Sequence, residues 1–302
     1  MSQQITRAHV EMFRSNLMLT AQQGNSRLRN TVTEEVGVGK THFFEQVKPT
    51  KMVRKTSRHQ PSPQIDTPHA RRQASPDTFV WGDLIDKSDR VRALIDPDSS
   101  YLMNARMAAN RQIDSIIIPA ATGVSLVNGG AGNIPTIVAL PAFQIIAVNF
   151  VPSGAAVNSG LTVDKLIEAK RIMGENDVDE EEEFHISVSQ QQITDLLRET
   201  EVTSSDFNIV RALVEGKVDK YMGFTFHRTQ LNLIDTATDI RTAFAYVKSG
   251  IGLAIAREIT VNVDPSRSDR NFETYLHIEM DMGATRLEEE KVVSILCDES
   301  PP

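Results

Sequence analysis

Five features of the chain carry residue types that could do chemistry. Gly37-Val-Gly-Lys40-Thr41 ends like a phosphate-binding loop. That motif needs a further glycine five residues before Gly39, and Glu34 stands there, a carboxylate that would repel a phosphate. No apolar strand leads into it, so a turn opening a hairpin is the expectation. Gly129-Gly130-Ala131-Gly132 lacks both the spacing and the strand–turn–helix context of a dinucleotide fingerprint. The histidines, His9, His42, His59, His69, His185, His227 and His277, show no His-x-x-x-His or related spacing that would set two metal ligands on one helical face. Asp179-Glu180-Glu181-Glu182-Glu183 lacks the alternating oxygens and central glycine of a calcium loop, and reads as a solvated turn or a contact for a basic partner. Cys297 sits in an apolar strand pattern, which favours an inert, packed thiol over a nucleophile. No catalytic residue, cofactor or metal is expected.

Charge is the stronger signal. Lys and Arg number 32 and Asp and Glu 40, a net of −8, which argues against a nucleic-acid coat or a membrane-surface protein. The distribution is uneven. Twelve basic and five acidic residues up to Arg72 leave that stretch at +7, so the remainder carries −15. One cysteine excludes an internal disulfide framework, and no apolar run is long enough to span a bilayer. A soluble, cytosolic chain without a signal peptide is expected.

The elements that must hold these residues follow from spacing. Val10, Phe13, Leu17 and Ala21 fall on one face of a helix over Ile5–Gln23. Strands are expected around Phe43-Phe44 and Met52-Val53, and again from His69 to Trp81, flanking the proline-rich Arg58–Pro68. This long hairpin carries most of the excess positive charge and has little apolar surface of its own. A helix is expected from Asp98 to Ile118, ended by Pro119, with Ala105, Ala109 and Ile113 on one stripe and Arg106, Asn110 and Asp114 on another. Gly123–Ala156 supports only short strands. An α+β unit follows. Its expected elements are a helix capped by Thr162 and ended by Gly174, a strand Phe184–Val188, a helix opened by the capping box Ser189/Gln192, and a helix around Phe207–Gly216. Alternation at Ile259/Val261/Val263 and from Phe272 to Met282 predicts half-buried strands, with a last strand at Lys291–Cys297.

Several runs point to one family: His69-Ala-Arg-Arg72, Trp81-Gly-Asp-Leu-Ile-Asp86, Leu94-Ile-Asp-Pro97, Val157-Asn-Ser-Gly-Leu-Thr162, Val202-Thr-Ser-Ser-Asp206, Ala243-Phe-Ala-Tyr-Val-Lys-Ser-Gly250 and Gly283-Ala-Thr-Arg-Leu-Glu-Glu-Glu-Lys-Val-Val293. In order and register the chain resembles the major capsid proteins of tailed bacteriophages, podophage type, which share an α+β fold with the encapsulins. The resemblance implies an N-terminal arm over residues 1–36 and an extended β-hairpin loop over 37–80. A peripheral domain over 81–138 would contain a spine helix at about 98–118, and 139–256 would form an axial domain. Residues 257–302 would return as peripheral strands and a tail. It also implies a non-catalytic subunit that assembles through pentamers and hexamers into an icosahedral virion shell in the host bacterial cytoplasm. Portal and scaffold or decoration proteins would be partners, and packaged double-stranded DNA would be enclosed without sequence-specific binding. The charge split then makes Lys48, Lys51, Arg54, Lys55, Arg58, Arg71 and Arg72, with Asp179, Glu180, Glu181, Glu182 and Glu183, the candidate contacts between subunits. An encapsulin-like shell around a cargo enzyme is the alternative with the same fold, and a small α/β enzyme the alternative with another.

Overall fold

The computed structural model describes residues 22–37, 39–85, 97–127, 135–198, 220–267 and 273–300. The expected helices at Ile5–Gln23 and Phe207–Gly216 lie outside these residues, apart from Gln22 and Gln23, as does Gly129–Gly132. The chain divides into two compact units: residues 1–26, 77–113 and 256–282 in one, and 27–76, 114–255 and 283–302 in the other.

In the first unit, β4 (Asp77–Ile85) pairs antiparallel with β14 (Glu273–Arg286), Met282 opposite Asp77 and Thr274 opposite Ile85. Strict alternation in β14 buries Leu276, Ile278, Met280 and Met282 and leaves Tyr275, His277, Glu279 and Asp281 half-buried. On that second face Arg257 of β13 (Ile251–Arg267) holds both Glu279 and Asp281. The long helix α1 (Pro97–Thr122) contributes its Ala105, Ala109 and Ile113 stripe, all buried.

The second unit is built on a seven-stranded sheet. Its order is β7 (Ile145–Ile146), β15 (Val292–Asp298), β12 (Ile240–Val247), β8 (Phe184–Val188), β10 (Phe224–Arg228) and β9 (Lys220–Tyr221), with β11 (Ile234–Asp235) paired to β12. All five residues of β8 are buried, as a central strand covered on both faces requires. The helices α2 (Val163–Glu175) and α3 (Gln190–Arg198) supply Leu166, Met173, Ile193 and Leu196 to the core of this sheet. Both helices start as their sequences direct. Thr162 Oγ1 accepts from Lys165 N at 3.3 Å. Ser189 and Gln192 form the reciprocal box, Ser189 N donating to Gln192 Oε1 at 2.9 Å and Gln192 N to Ser189 Oγ at 3.2 Å. The same unit contains a four-stranded sheet, β2 (His42–Val47), β3 (His69–Ala74), β5 (Ser125–Val127) and β6 (Thr136–Val138), and β1 (Thr33–Val36), which pairs parallel with β13 from Gly252 to Ile255.

Four expectations are corrected. Met52-Val53 forms no strand: the β2–β3 ladder closes at Val47 opposite His69, beyond which one leg carries Pro49 and the like charges Lys48, Lys51, Arg54 and Lys55, and the other carries Pro61, Pro63 and Pro68. The stretch from His69 to Trp81 breaks at Ser75-Pro76, which separates β3 from β4. A side chain at Gly283 would collide there with the Ser75 carbonyl, so only glycine lets the two backbones approach. The long helix passes through Pro119 to Thr122, because Ile117, Ile118 and Ala121 are fully packed and Gly123 N closes the last turn on Pro119 O at 2.8 Å. Last, β15 does not return to the sheet of β13 and β14. Val292, Val293, Ile295 and Cys297 are all buried, a two-sided apolar pattern that fits a strand inside the seven-stranded sheet, between β12 and β7.

Candidate assembly surface

The exposed loop starts where its ladder stops. Lys48 N donates to Pro68 O at 2.9 Å, and residues 48–68 then run without regular structure. A turn near the tip is held by Thr56, whose backbone N and Oγ1 both donate to Gln60 Oε1, at 2.7 and 3.0 Å. Two legs of about ten residues reach at most on the order of 30 Å. Lys48, Lys51, Arg54, Lys55 and Arg58 are all exposed, and among the described residues none of the five has an ion-pair partner. Met52 is 99% exposed beside them. Five cations and a thioether thus stand in water on one segment, where burying the charges would cost free energy unless a partner supplied opposite charge.

The two remaining basic candidates are placed differently. Arg71 stays on the surface, opposite Glu45 in the ladder and 2.8 Å from its carboxylate. Arg72 does not. It is buried, 2.5 Å from Glu289 and 2.9 Å from Ser125 Oγ, so its charge is neutralised inside the subunit. Arg286, wholly buried, adds bonds to the carbonyls of Ala121, Gly123 and Val138, and its Nε stands 3.6 Å from Glu289. Burial lowers the Arg286 pKa, and Glu289 opposes that. This cluster fixes the base of the loop; sequence reading placed Arg72 with the free cations because alternation along β3 alone cannot say which face is covered.

The acidic run is a turn, as its composition suggested. Asp179 Oδ1 accepts from Glu181 N at 3.1 Å and Asp179 O from Glu182 N at 3.2 Å. Asp179, Glu180, Glu181 and Glu183 are exposed; Glu182 is half-buried, accepting from Ser249 Oγ at 2.6 Å with Lys291 Nζ at 3.9 Å. Beside it lies a cavity of about 410 Å³ lined by Asn30, Thr33, Glu182, Glu183, His185 and Lys248.

Three buried polar groups escaped the sequence reading. Lys165 Nζ, fully buried, donates to the carbonyls of Val148, Ser159, Gly160 and Leu296 at 2.8–3.0 Å, tying two loops and a strand to α2. Asp114, on the polar stripe of α1, accepts from the backbone N of Arg27 and Leu28 at 3.0–3.2 Å, and so anchors the segment that leads towards β1. His227 Nε2 and His185 Nδ1 lie 3.1 Å apart, brought together because β8 and β10 are parallel neighbours. Burial lowers both; His227, further depressed by His185, falls to about 4. Cys297 is buried and its thiol pushed up to about 12, chiefly by burial, so no thiolate forms near neutral pH. Among the described residues no three His, Cys, Asp or Glu stand where they could hold a metal, and no helix is long and apolar enough to cross a membrane.

The comparisons with known proteins agree with one another. The family model described as phage capsid protein matches residues 5–299. The fold is similar to the capsid protein of cyanophage P-SCSP1u, with a TM-score of 0.74 at 17% identity over 98% of this chain and 95% of that one. It is also similar to the cyanophage Pam1 capsid protein, with a TM-score of 0.69 at 13% identity over 98% of both chains. The capsid of a native GTA particle matches with a TM-score of 0.66 at 10% identity over 96% and 95%. No curated protein matches the chain.

Proposed function

The chain belongs to the phage capsid protein family, and on that premise we propose how its surfaces divide between holding one subunit together and joining it to the next. It is a structural major capsid protein of the virion shell, not an enzyme. Subunits gather as pentamers and hexamers. In each contact the basic loop of one subunit, through Lys48, Lys51, Arg54, Lys55 and Arg58, lies on the acidic turn Asp179–Glu183 of a neighbour, with Arg71 at the rim. Arg72 serves instead to aim the loop. The observation that carries this reading is the loop itself: five exposed cations without an ion-pair partner among the described residues, and a fully exposed methionine beside them. Opposite charges at such a contact steer encounter and set register more than they add affinity, and the many repeats of a shell supply the stability. The acidic remainder encloses double-stranded DNA without gripping it, since its 20 basic residues are outnumbered by 35 acidic ones that repel phosphate. Assembly takes place in the host bacterial cytoplasm, with a portal and a scaffold or decoration protein as partners.

The test reverses the charges. A Lys51→Glu, Arg54→Glu, Lys55→Glu, Arg58→Glu subunit should stay folded and fail to form shells. Mixed in equal amounts with an Asp179→Lys, Glu180→Lys, Glu181→Lys subunit, it should recover assembly, as read by negative-stain microscopy and sedimentation. Normal shells from the first variant alone overturn the loop contact. Excising residues 49–67 should give the same loss, and leaves the Val47–His69 rung in place.

A further inference from the structure

Strand register assembles one polar cavity in the second unit. β8 and β12 are antiparallel, with Phe184 opposite Val247 and His185 opposite Tyr246. The acidic run that leads into β8 therefore meets the 3₁₀ turn Lys248–Gly250 that follows β12. Thr33 of β1 closes a third side, its Oγ1 donating to Lys248 O at 3.0 Å. Between these segments lies the cavity of about 410 Å³, lined by Asn30, Thr33, Glu182, Glu183, His185, Lys248 and Ser249.

Its lining asks for a cation with several N–H groups. The Glu183 carboxylate has neither a hydrogen bond nor an ion pair among the described residues. Glu182 has a loose ion pair, Lys291 Nζ at 3.9 Å, and that ammonium stands closer to Glu288, at 3.3 Å. Glu182, Glu183 and Glu288 thus stand against Lys248 and Lys291, and Asp179, Glu180 and Glu181 precede them in the same run. His185 is only 6% exposed and still lines the cavity. Its Nδ1 lies 3.1 Å from His227 Nε2, and its own Nε2 has no partner among the described residues. With the proton on Nδ1 and donated to His227, Nε2 is an acceptor without a donor. Burial lowers the His185 pKa, so the ring is neutral near neutral pH and repels no cation.

A guanidinium carries five N–H donors in a planar fork, whereas an ammonium is a point charge with three. The exposed loop holds an arginine at its apex: Arg58 lies between Thr56 and Gln60, whose mutual bonds form the turn. Resting on the loop contact proposed above, we propose that this cavity is an arginine socket. Arg58 of a neighbouring subunit enters it and donates to the Glu183 carboxylate and to His185 Nε2. The acidic turn attracts the loop as a whole, and the socket fixes its register.

Conservative variants separate the socket from the general attraction. Arg58→Lys keeps the charge and loses the fork; it should slow shell formation about tenfold by light scattering, while Arg54→Lys stays within about twofold of the unsubstituted subunit. Asn30→Trp fills the cavity from its rim without altering a charge and should slow assembly as much. The far-UV unfolding midpoint shows whether it folds; if it does not, the two arginine variants decide. Assembly at the unsubstituted rate by Arg58→Lys, or by a folded Asn30→Trp subunit, overturns the socket, as does equal slowing by Arg54→Lys. If the charge-reversed pair of subunits loses and recovers assembly while Arg58→Lys assembles normally, the loop contact stands and the socket alone falls. Normal shells from the charge-reversed loop overturn both.

Discussion

His185 and His227 meet at 3.1 Å in the second unit with the Tyr246 ring close by, and the Tyr246 hydroxyl reaches Thr31 Oγ1 at 2.5 Å. For His185, burial outweighs the opposing pull of Glu183, and Lys220 and Lys248 add to the lowering; for His227, burial and His185 outweigh Asp114. Both folded-state values lie below the ordinary histidine value, so the unfolded chain binds more protons as pH falls. Stability is then fully present above about pH 6.5 and is lost progressively towards pH 4, the value that burial imposes on His227. A His227→Gln variant should show a flatter dependence of the urea midpoint on pH across that window. Cys297 gives a second expectation at this scale: a disulfide reagent at pH 8 should leave the native thiol unmodified and react at once after denaturation, since the buried thiol is protonated to about 12. The inert thiol was legible in the sequence, from its apolar strand. The histidine pair was not, because 42 residues separate the two rings and only the parallel register of β8 and β10 joins them.

At the scale of elements, local rules worked where a signal lies within a few residues. The capping box at Ser189, the Thr162 cap and the alternation of β14 all appear where spacing put them. Ser189→Ala should cost about 1 kcal/mol of stability, measured by chemical denaturation, as loss of an N-cap does. Elements failed to follow local rules where packing outvoted them. Pro119 should stop a helix by its missing N–H, yet three fully packed residues around it hold the last turn. The arginine–glutamate cluster at the loop base is the least local feature of all, joining β3, the end of β14 and the turn before β15. Glu289→Ala would leave two buried guanidinium groups uncompensated and should destabilise by about 3–5 kcal/mol. Lys165→Met should cost about 3 kcal/mol or more, since buried carbonyls would lose their shared donor.

At the scale of the whole molecule the charge of −8 resolves into two populations. Some basic residues up to position 72 are consumed within the subunit, Arg29 by Glu34, Arg71 by Glu45 and Arg72 by Glu289. Those on the extended loop stay in water. If that loop guides assembly, the rate of shell formation should fall about tenfold between low salt and several hundred millimolar salt, because the Debye length shrinks below the approach distance of the charges; light scattering across a salt series measures it. The sequence by itself determined the family, the order of most elements and the segregation of charge, because the signals for these lie in composition, short-range periodicity and contiguous runs of residues. Tertiary structure decided which charges are free, where β15 pairs and which polar groups meet in the interior. Those outcomes depend on contacts between residues far apart in the chain, and alternation or helical spacing marks that one face is buried without saying what buries it.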